Sequence, residues 1–348
     1  MSLSLADGKD ERDLSENSLA NGSNSFAGSE ESAGAEAVGY LETVHTPPLS
    51  ATQRRKIDAL SKLVQTTPGL ELTSTERSWM DEACLSRFLR ARRYNVQKAY
   101  RQLHETIQWR RKFGVERLML DPELKDVKHQ SETGKLYVHG VDIYGRPAVI
   151  MKPRYQNTSE RKTANEQIRH LVYTLERAIT LMEPPVEKLC LIIDFPGYSL
   201  RNAPSIKVQR QTLKILQDYY PERLGIAVCI DSPTIFWTFF EIIKPFIDPR
   251  TAAKIHFCSR KGKVGTNQHM QTFMRQLFHP DQLELELGGR STWRYSNEEY
   301  FRELIVPNYL SANRECALIV AFSHDETEDE ADLVFHDALS HCDNVKES

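Results

Sequence analysis

The sequence predicts an α/β fold, in which a helical N-terminal lobe precedes a lobe built on a mostly parallel central sheet. Between residues 51 and 120, apolar residues recur at helical spacing. Beyond about residue 128, short apolar runs alternate with helical patterns, which is typical of strands joined by crossover helices. One of these runs, Leu189 to Phe195 (LCLIIDF), is continuously apolar and predicts a strand covered on both faces, as in a parallel sheet.

Three helices are predicted in the first lobe. Gln53 to Val64 forms a short amphipathic helix, and Asp81 is placed to cap a second helix that runs through Arg92. Val96 to Phe113 has its apolar residues in one row, and Gly114 follows as a natural end for that helix. These segments together predict a small helical subdomain.

The second lobe alternates strands and helices along the chain. We predict strands at Lys135–Val138, Pro147–Lys152, Leu189–Phe195, Gly225–Ile230 and Lys254–Cys258. Helices are predicted at Thr163–Met182, Ser205–Tyr219, Asn267–Leu277 and Glu298–Ile305. The order of the elements favours right-handed crossovers between parallel strands.

The charge is distributed unevenly along the chain. The net charge is −3, but residues 1–45 hold nine acidic and two basic residues, and residues 323–348 hold nine acidic and one basic residue. The residues between them therefore carry 42 basic against 30 acidic side chains. Such a basic body favours an anionic partner, for example a membrane surface, although a solvated surface between disordered acidic tails gives the same pattern.

Features of several other protein classes are missing from the sequence. We find no phosphate loop of the GxxxxGK[ST] type, no GxSxG elbow, no HExxH and no compact His/Cys set at zinc spacing. The six cysteines are scattered without a CxxC pair, so we predict free thiols in a reducing compartment. The N-terminus lacks the pattern of a signal peptide, and no apolar run is long enough to span a membrane. We therefore predict no catalytic residues, no metal and no cofactor.

One predicted helix, Thr234 to Ile247, is apolar on nearly every side. A helix of this kind must be covered on several sides, and at about 14 residues it is shorter than the roughly 20 that a bilayer requires. We predict that it faces a long-chain ligand, while ordinary core packing remains the alternative. Its apolar side chains include Phe236, Trp237, Phe239, Phe240 and Ile243.

Several motifs resemble the CRAL-TRIO lipid-binding family. They are LSRFLRARRYNVQKA with WRRKFG, then YGRPAVIMKP, LIIDFPGYS, YPERLG and KPFIDPRTAAKI, and they occur in the family's order between residues 80 and 305. The match is most similar to the fungal phosphatidylinositol transfer proteins. KPRYQNT at Lys152–Thr158 and the run HLVYTLERAI look most like the branch linked to azole-drug tolerance.

The resemblance implies a non-enzymatic carrier whose α/β lobe encloses one lipid beneath a gate helix. It implies four regions: an acidic tail at 1–45, a helical N-terminal domain at 46–122, a lipid-binding domain at 123–310 and a second acidic tail at 311–348. It also implies that the phosphatidylinositol headgroup is held by Arg92, Arg93, Glu222, Thr251 and Lys254. From spacing alone, Glu222 and Lys254 are equally well interpreted as surface residues, and Arg92 and Arg93 as part of a solvated helix face.

Three positions depart from family members that also carry phosphatidylcholine. Those members have hydroxyl groups where this chain has Leu189 and Leu191, and a tyrosine where it has Val149. A buried zwitterionic headgroup would lack hydrogen-bond partners there. We therefore expect an apolar pocket wall at these residues and a second ligand that is mostly apolar, with sterol the best candidate by resemblance.

The resulting hypothesis is a cytoplasmic protein, peripherally associated with endomembranes, that exchanges phosphatidylinositol and presents it to lipid kinases. It would contact anionic membrane surfaces and no nucleic acid. Two rivals remain: a regulatory module that senses lipid for a protein partner without transferring it, and an enzyme acting on a lipid or phosphoester. Vesicle-to-vesicle transfer separates a carrier from a sensor, and turnover of the bound lipid identifies an enzyme.

Overall fold

The computed structural model describes residues 48–121, 123–156, 164–234, 236, 240, 249–261 and 268–302. The helices before the sheet are α1 (Ala51–Thr66), α2 (Ser74–Trp79), α3 (Glu82–Ala91), α4 (Val96–Phe113), α5 (Val115–Leu120) and α6 (Lys125–Ser131). The strands are β1 (Leu136–Val141), β2 (Pro147–Met151), β3 (Leu189–Asp194), β4 (Leu224–Ile230), β5 (Ile255–Ser259) and β6 (Gln268–His269). The helices among and after the strands are α7 (Ala164–Thr180), α8 (Ile206–Tyr219), α9 (Pro249–Ala252) and α10 (Met270–Leu277).

Capping residues determine where the first helices begin and end. At the start of α1, the Ser50 hydroxyl accepts from the Gln53 backbone amide, and the Gln53 side-chain oxygen accepts from the Ser50 backbone amide. Together these two bonds form a capping box. The Asp81 carboxylate caps α3 by accepting from the Cys84 amide at 2.7 Å. Gly114 ends α4 with φ 76°, a left-handed conformation that costs glycine little. The predicted boundaries of α3 and α4 are confirmed to within one residue.

The first four helices share one apolar core. Buried side chains of α1, α3 and α4 meet there, with Leu60, Leu89 and Leu103 fully buried. Residues three or four positions apart along each helix supply this core, as expected when one face of an amphipathic helix turns inward.

In the part of the chain that the structure describes, the sheet has six strands, and their spatial order is the order of the chain. β1 pairs with β2 in antiparallel fashion, and β2 to β6 are parallel neighbours. When parallel strands follow chain order, right-handed crossovers all lie on the same side of the sheet. We call this side the front face; α7 and α8 cross it.

The opposite side, the back face, is covered by the C-terminal part of the described chain. The Tyr137 ring of β1 packs against Trp293, Tyr295 and Tyr300, with ring centroids 4.9 to 6.5 Å apart. At the other edge, His256 of β5 lies 5.2 Å from Phe273 of α10. The mostly parallel α/β architecture predicted from the sequence is confirmed.

Buried polar contacts join the first helices to the α/β part. The Arg110 guanidinium of α4 donates to the Glu176 carboxylate of α7 at 2.6 Å, and the Tyr220 hydroxyl donates to the same carboxylate at 2.6 Å. Beside them, Trp109 stacks on Tyr219 at 4.3 Å. Gln102 adds a bond to the carbonyl of Asp218 at 2.9 Å, at the end of α8. These contacts fix α4 against α7 and α8.

Two details differ from the sequence-based expectations. A two-residue strand, β6, pairs with the end of β5 and delays the start of α10 to Met270, whereas we expected a helix from Asn267. The short helices α2, α5 and α6 were not predicted, because a helix of six or seven residues has too few turns to show periodicity. The antiparallel pairing of β1 with β2 follows from their short connection.

Candidate functional site

The front face of the sheet is a continuous apolar surface. Residues in register on parallel strands point the same way, so the register gives two rows on this face. They are Val149, Leu191, Ala227 and Ile255, and then Met151, Ile193, Cys229 and Phe257. Leu189 lies two residues before Leu191, so all three predicted wall residues (Val149, Leu189 and Leu191) belong to this face.

Leu191 and Ile193 are partly exposed although β3 is an interior strand of the sheet. Their neighbours on the back of the same strand, Cys190 and Ile192, are 0% exposed. Because β2 and β4 shield β3 from both sides, partial exposure here requires an open space above the front face. The sequence predicted a strand covered on both faces; Leu189 on the front is buried, whereas Leu191 and Ile193 are covered only in part.

Aromatic rings from the predicted gate helix lie over the carboxyl end of this face. Residues 234, 236 and 240 are helical in the structure. The Phe236 ring lies 4.8 Å from Phe195, and the Phe240 ring lies 5.1 Å from Phe257 of β5. Phe240 is 6% exposed, so it is covered on most sides. Of the other predicted gate residues, Trp237, Phe239 and Ile243 lie outside the described residues.

A basic and an acidic residue predicted for the headgroup lie near the opposite end of the face. The Lys254 ammonium donates to the Leu224 carbonyl at 3.0 Å, and Leu224 is in register with Leu189. Glu222, two residues before Leu224, has a left-handed backbone with φ 58° and a partly buried side chain. Lys254 is therefore held at the amino ends of β3 and β4, beside the segment that carries Glu222.

Thr251 belongs to α9, the short helix that precedes Lys254. Its carbonyl accepts from the Lys254 amide at 3.1 Å, while its side chain is exposed. The Lys254 carbonyl in turn accepts from the Ala227 amide at 2.8 Å. The segment with Thr251 and Lys254 is thus attached to β4 by backbone hydrogen bonds.

Arg92 and Arg93 end helix α3. Arg92 is partly buried and Arg93 is exposed with φ 49°. Within the described part of the chain, neither side chain makes a hydrogen bond or ion pair. No hydrogen bond or ion pair among the described residues joins them to Glu222 or Lys254.

A second basic group, which the sequence analysis missed, lies between α3 and the start of β3. Arg90 pairs with the Glu187 carboxylate, Arg87 lies 3.9 Å from it, and Arg223 donates to the Glu187 carbonyl at 2.8 Å. Burial, followed by the nearby charge of Arg87, lowers the pKa of Arg223 to about 10. Arg223 adjoins Glu222, so these cations add positive potential near the Glu222 end of the front face. Arg90 and Glu187 are 97 positions apart in the sequence, so their pairing is visible only in the folded chain.

At the carboxyl ends of the strands, the back face carries a network of ion pairs. Asp194 is 1% exposed and accepts from Arg154 at 2.6 Å and from Arg260 at 2.8 Å. Arg260 also pairs with Asp231 at 3.0 Å. These charges are paired with one another, which fixes the loops after β2, β3 and β4.

The described residues contain no group of three or more His, Cys, Asp or Glu side chains arranged to hold a metal ion. In the same part of the chain, no helix combines the length and the apolar character needed to cross a bilayer.

Comparisons with known proteins agree on one family. Residues 131–289 match the sequence model of the CRAL/TRIO domain, and residues 56–105 match that of the CRAL/TRIO N-terminal domain. The phosphatidylinositol transfer protein PDR17 of Saccharomyces cerevisiae is 33% identical over 242 residues, which cover 67% of this chain and 65% of the relative. The Sec14 cytosolic factor of Schizosaccharomyces pombe is 31% identical over 261 residues, which cover 70% and 85% respectively.

The matched lengths differ among the relatives. A CRAL-TRIO domain-containing protein of Schizosaccharomyces pombe is 39% identical over 235 residues, but this chain spans only 21% of that protein. Among solved structures, the crystal structure of Sfh5 aligns with a TM-score of 0.50 at 15% identity, covering 76% of this chain and all of that one. At that identity the structural match concerns the fold alone.

Proposed function

Because the chain belongs to the CRAL-TRIO family of lipid-binding transfer proteins, we propose that it binds one phosphatidylinositol molecule and exchanges it between membranes. The supporting observation is the open space above the middle of the front face, at Leu191 and Ile193, with Lys254 near one end of that face. A relative with 33% identity carries the name phosphatidylinositol transfer protein, which favours this cargo.

The dimensions of the front face suit a long-chain lipid. Strand β4 has seven residues and therefore runs about 20 Å from the Lys254 end toward the aromatic end. Burial of about thirty methylene groups, at about 0.8 kcal/mol each, compensates for removing a diacyl lipid from a bilayer. A covered apolar chamber provides this burial, whereas an open wet groove does not.

The headgroup assignment places a phosphate at Lys254. A phosphate taken out of water needs charge-assisted hydrogen bonds. In our proposal Lys254 and Thr251 provide them, Glu222 accepts from inositol hydroxyls, and Arg92 and Arg93 approach when the lipid is bound. Arg87 and Arg223 add positive charge nearby but remain engaged with Glu187.

The second ligand in our proposal is a mostly apolar lipid such as a sterol. Val149, Leu189 and Leu191 present only hydrocarbon to the front face, so a choline phosphate would find no hydrogen-bond partner among them. Phosphatidylcholine transfer should therefore be inefficient. Replacing Leu189 and Leu191 with Ser and Thr should increase phosphatidylcholine transfer. If the parent protein transfers phosphatidylcholine as efficiently as this variant does, the assignment is refuted.

We further propose a cytoplasmic carrier that meets endomembranes, contacts anionic membrane surfaces and presents phosphatidylinositol to lipid kinases. It would belong to the azole-tolerance branch of the family. The region boundaries near residues 45, 122 and 310 remain part of this proposal.

The central experiment measures vesicle-to-vesicle transfer of phosphatidylinositol, after native mass spectrometry has identified the lipid that copurifies. Lys254→Ala and Glu222→Ala should abolish transfer, with a loss of at least about tenfold, because charge-assisted hydrogen bonds to the headgroup are lost. Lys62→Ala, a lysine substitution on the surface of α1, should transfer normally. Normal transfer by both site variants would remove the headgroup assignment, and binding without transfer would identify a lipid sensor.

A separate experiment tests the aromatic cover. Phe240→Asp should weaken membrane docking and slow cargo exchange, because the charge replaces a ring that packs on Phe257. Leu120→Asp alters a side chain that is 81% exposed and serves as the matched control. Unchanged vesicle kinetics in a folded Phe240→Asp protein would contradict a role for this residue in the gate.

A further inference from the structure

A cavity of about 440 Å³ lies on the back face of the sheet, across the strands from the proposed lipid site. Lys152 is on its wall, and Lys152 follows Ile150 by two residues, so both belong to the back face. The other wall residues used below are Glu132, Glu284, Glu286, Trp293, Arg294 and Tyr295. A volume of this size accommodates a small molecule.

Aromatic rings form a rigid part of the cavity wall. One face of Trp293 stacks on His139 at 3.8 Å, and the Tyr295 ring stands nearly perpendicular to Trp293, at an interplanar angle of 78°. Tyr295 also packs on Tyr137 at 4.9 Å. Gly134 has φ 66°, and a side chain there would approach the Tyr295 ring to 2.9 Å. The glycine therefore allows the ring to sit in this position.

The charges beside these rings sum to a negative excess. Lys152 donates to Glu284 at 3.1 Å and also pairs with Glu286, and Arg154 lies 3.6 Å from Glu286. Through Arg154 and Arg260 these groups join the Asp194 network. Of the charged side chains that line the cavity, three are acidic (Glu132, Glu284 and Glu286) and two are basic (Lys152 and Arg294).

We propose that this cavity is a second binding site, selective for a small organic cation such as a quaternary ammonium or a protonated amine. Cations are attracted to the faces of Trp and Tyr rings, and the carboxylate excess adds to that attraction. Lys152 is held between Glu284 and Glu286. An anion would meet Glu284 and Glu286, and an apolar ligand would remove water from the half-exposed Glu286 without replacing its hydrogen bonds.

The site does not depend on the proposed lipid function, because the sheet separates the two. Lipid on the front face and a cation on the back face should occupy the protein together. Binding of the cation is therefore expected to be the same in lipid-loaded and delipidated protein.

Isothermal titration of the full chain with choline chloride tests the proposal, with 3,3-dimethyl-1-butanol as the uncharged molecule of the same shape. We expect saturable binding of choline, and no binding of the alcohol. Glu286→Gln should weaken choline binding about fivefold, the effect of removing one partly exposed ion pair. The matched control is Asp281→Asn, which alters an exposed carboxylate away from the cavity wall and should bind choline as the parent does.

Trp293→Leu supplies an independent variant, since it removes the ring but keeps every carboxylate. It should also weaken choline binding, while its thermal unfolding reports whether the fold is intact. Three results would each overturn the proposal: no saturable binding of choline, equal binding of the alcohol, or parent-like affinity in Glu286→Gln. Competition between choline and lipid would overturn the location on the back face.

Discussion

The two faces of the sheet differ in how completely their apolar side chains are covered. Ile192 points to the back and is 0% exposed, while its neighbour Leu191 points to the front and is partly exposed. At Ile192 the back is closed by the protein's own side chains, whereas at Leu191 the front leaves apolar surface next to an open space. The difference teaches that an apolar strand residue indicates burial, but not whether protein or ligand provides it.

The largest effect is expected in the charge network of the back face. Asp194→Ala should lower the free energy of unfolding by about 3–5 kcal/mol, because Arg154 and Arg260 each lose a buried partner. Urea denaturation measures this loss. The control Asp281→Ala breaks an exposed pair with Arg290 and should leave stability almost unchanged. Equal stability of the two variants would show that the network is not a stabilising feature.

The neighbouring residues of β3 compare the two faces directly. Ile192→Ala should lower stability by about 2–5 kcal/mol, because the packed back face cannot close the resulting cavity. Leu191→Ala should lower stability by less than half as much, because its side chain already borders open space. This variant should instead weaken lipid binding. Urea denaturation and lipid transfer on both variants check this contrast. Equal stability losses would mean that the front face is filled by protein.

A smaller effect concerns acid pH and two histidines, His170, which is buried, and His139, which is partly buried. Burial, with the nearby charge of Lys135, lowers the pKa of His170 to about 3 from 6.5. Burial and the charge of Lys152 lower the pKa of His139 to about 4. Both are neutral in the folded protein, so the stability they contribute is present above pH 6.5 and is lost as the pH falls toward these lowered values.

The loss should approach about 1.4 kcal/mol per pH unit for each histidine. Urea denaturation between neutral and acid pH measures it, and His170→Asn should flatten the dependence because the substituted side chain does not titrate. A variant with the same pH dependence as the parent would exclude a contribution from His170.

Much of the fold could be predicted from the sequence, because its signals are local. The Asp81 cap, the Gly114 helix end and the strand at Leu189–Asp194 each depend on a few adjacent residues. The two-residue strand β6 has no such signal and exists because it pairs with the end of β5. Short helices such as α5 likewise gain their stability from packing.

The candidate site was less accessible to sequence reasoning. Periodicity placed Leu191 on a strand, but only the register shows that it shares a face with Val149 and Phe257. The link of Arg90 to Glu187 joins residues 97 positions apart, and no local pattern marks it. The cavity between Lys152 and Trp293 likewise arises from segments that meet only in the folded chain. The headgroup roles of Glu222, Thr251 and Lys254 stay predictions.

The contacts of Glu176 make the helical and α/β parts interdependent. This carboxylate receives Arg110 from α4 and the hydroxyl of Tyr220 from the end of α8. A fragment beginning after α4 would keep the acid and the tyrosine but lose the cation, and the stacking partner of Tyr219 would be gone. Expression of the lipid-binding half alone should therefore yield an unstable product, and the intact protein should melt in a single cooperative transition.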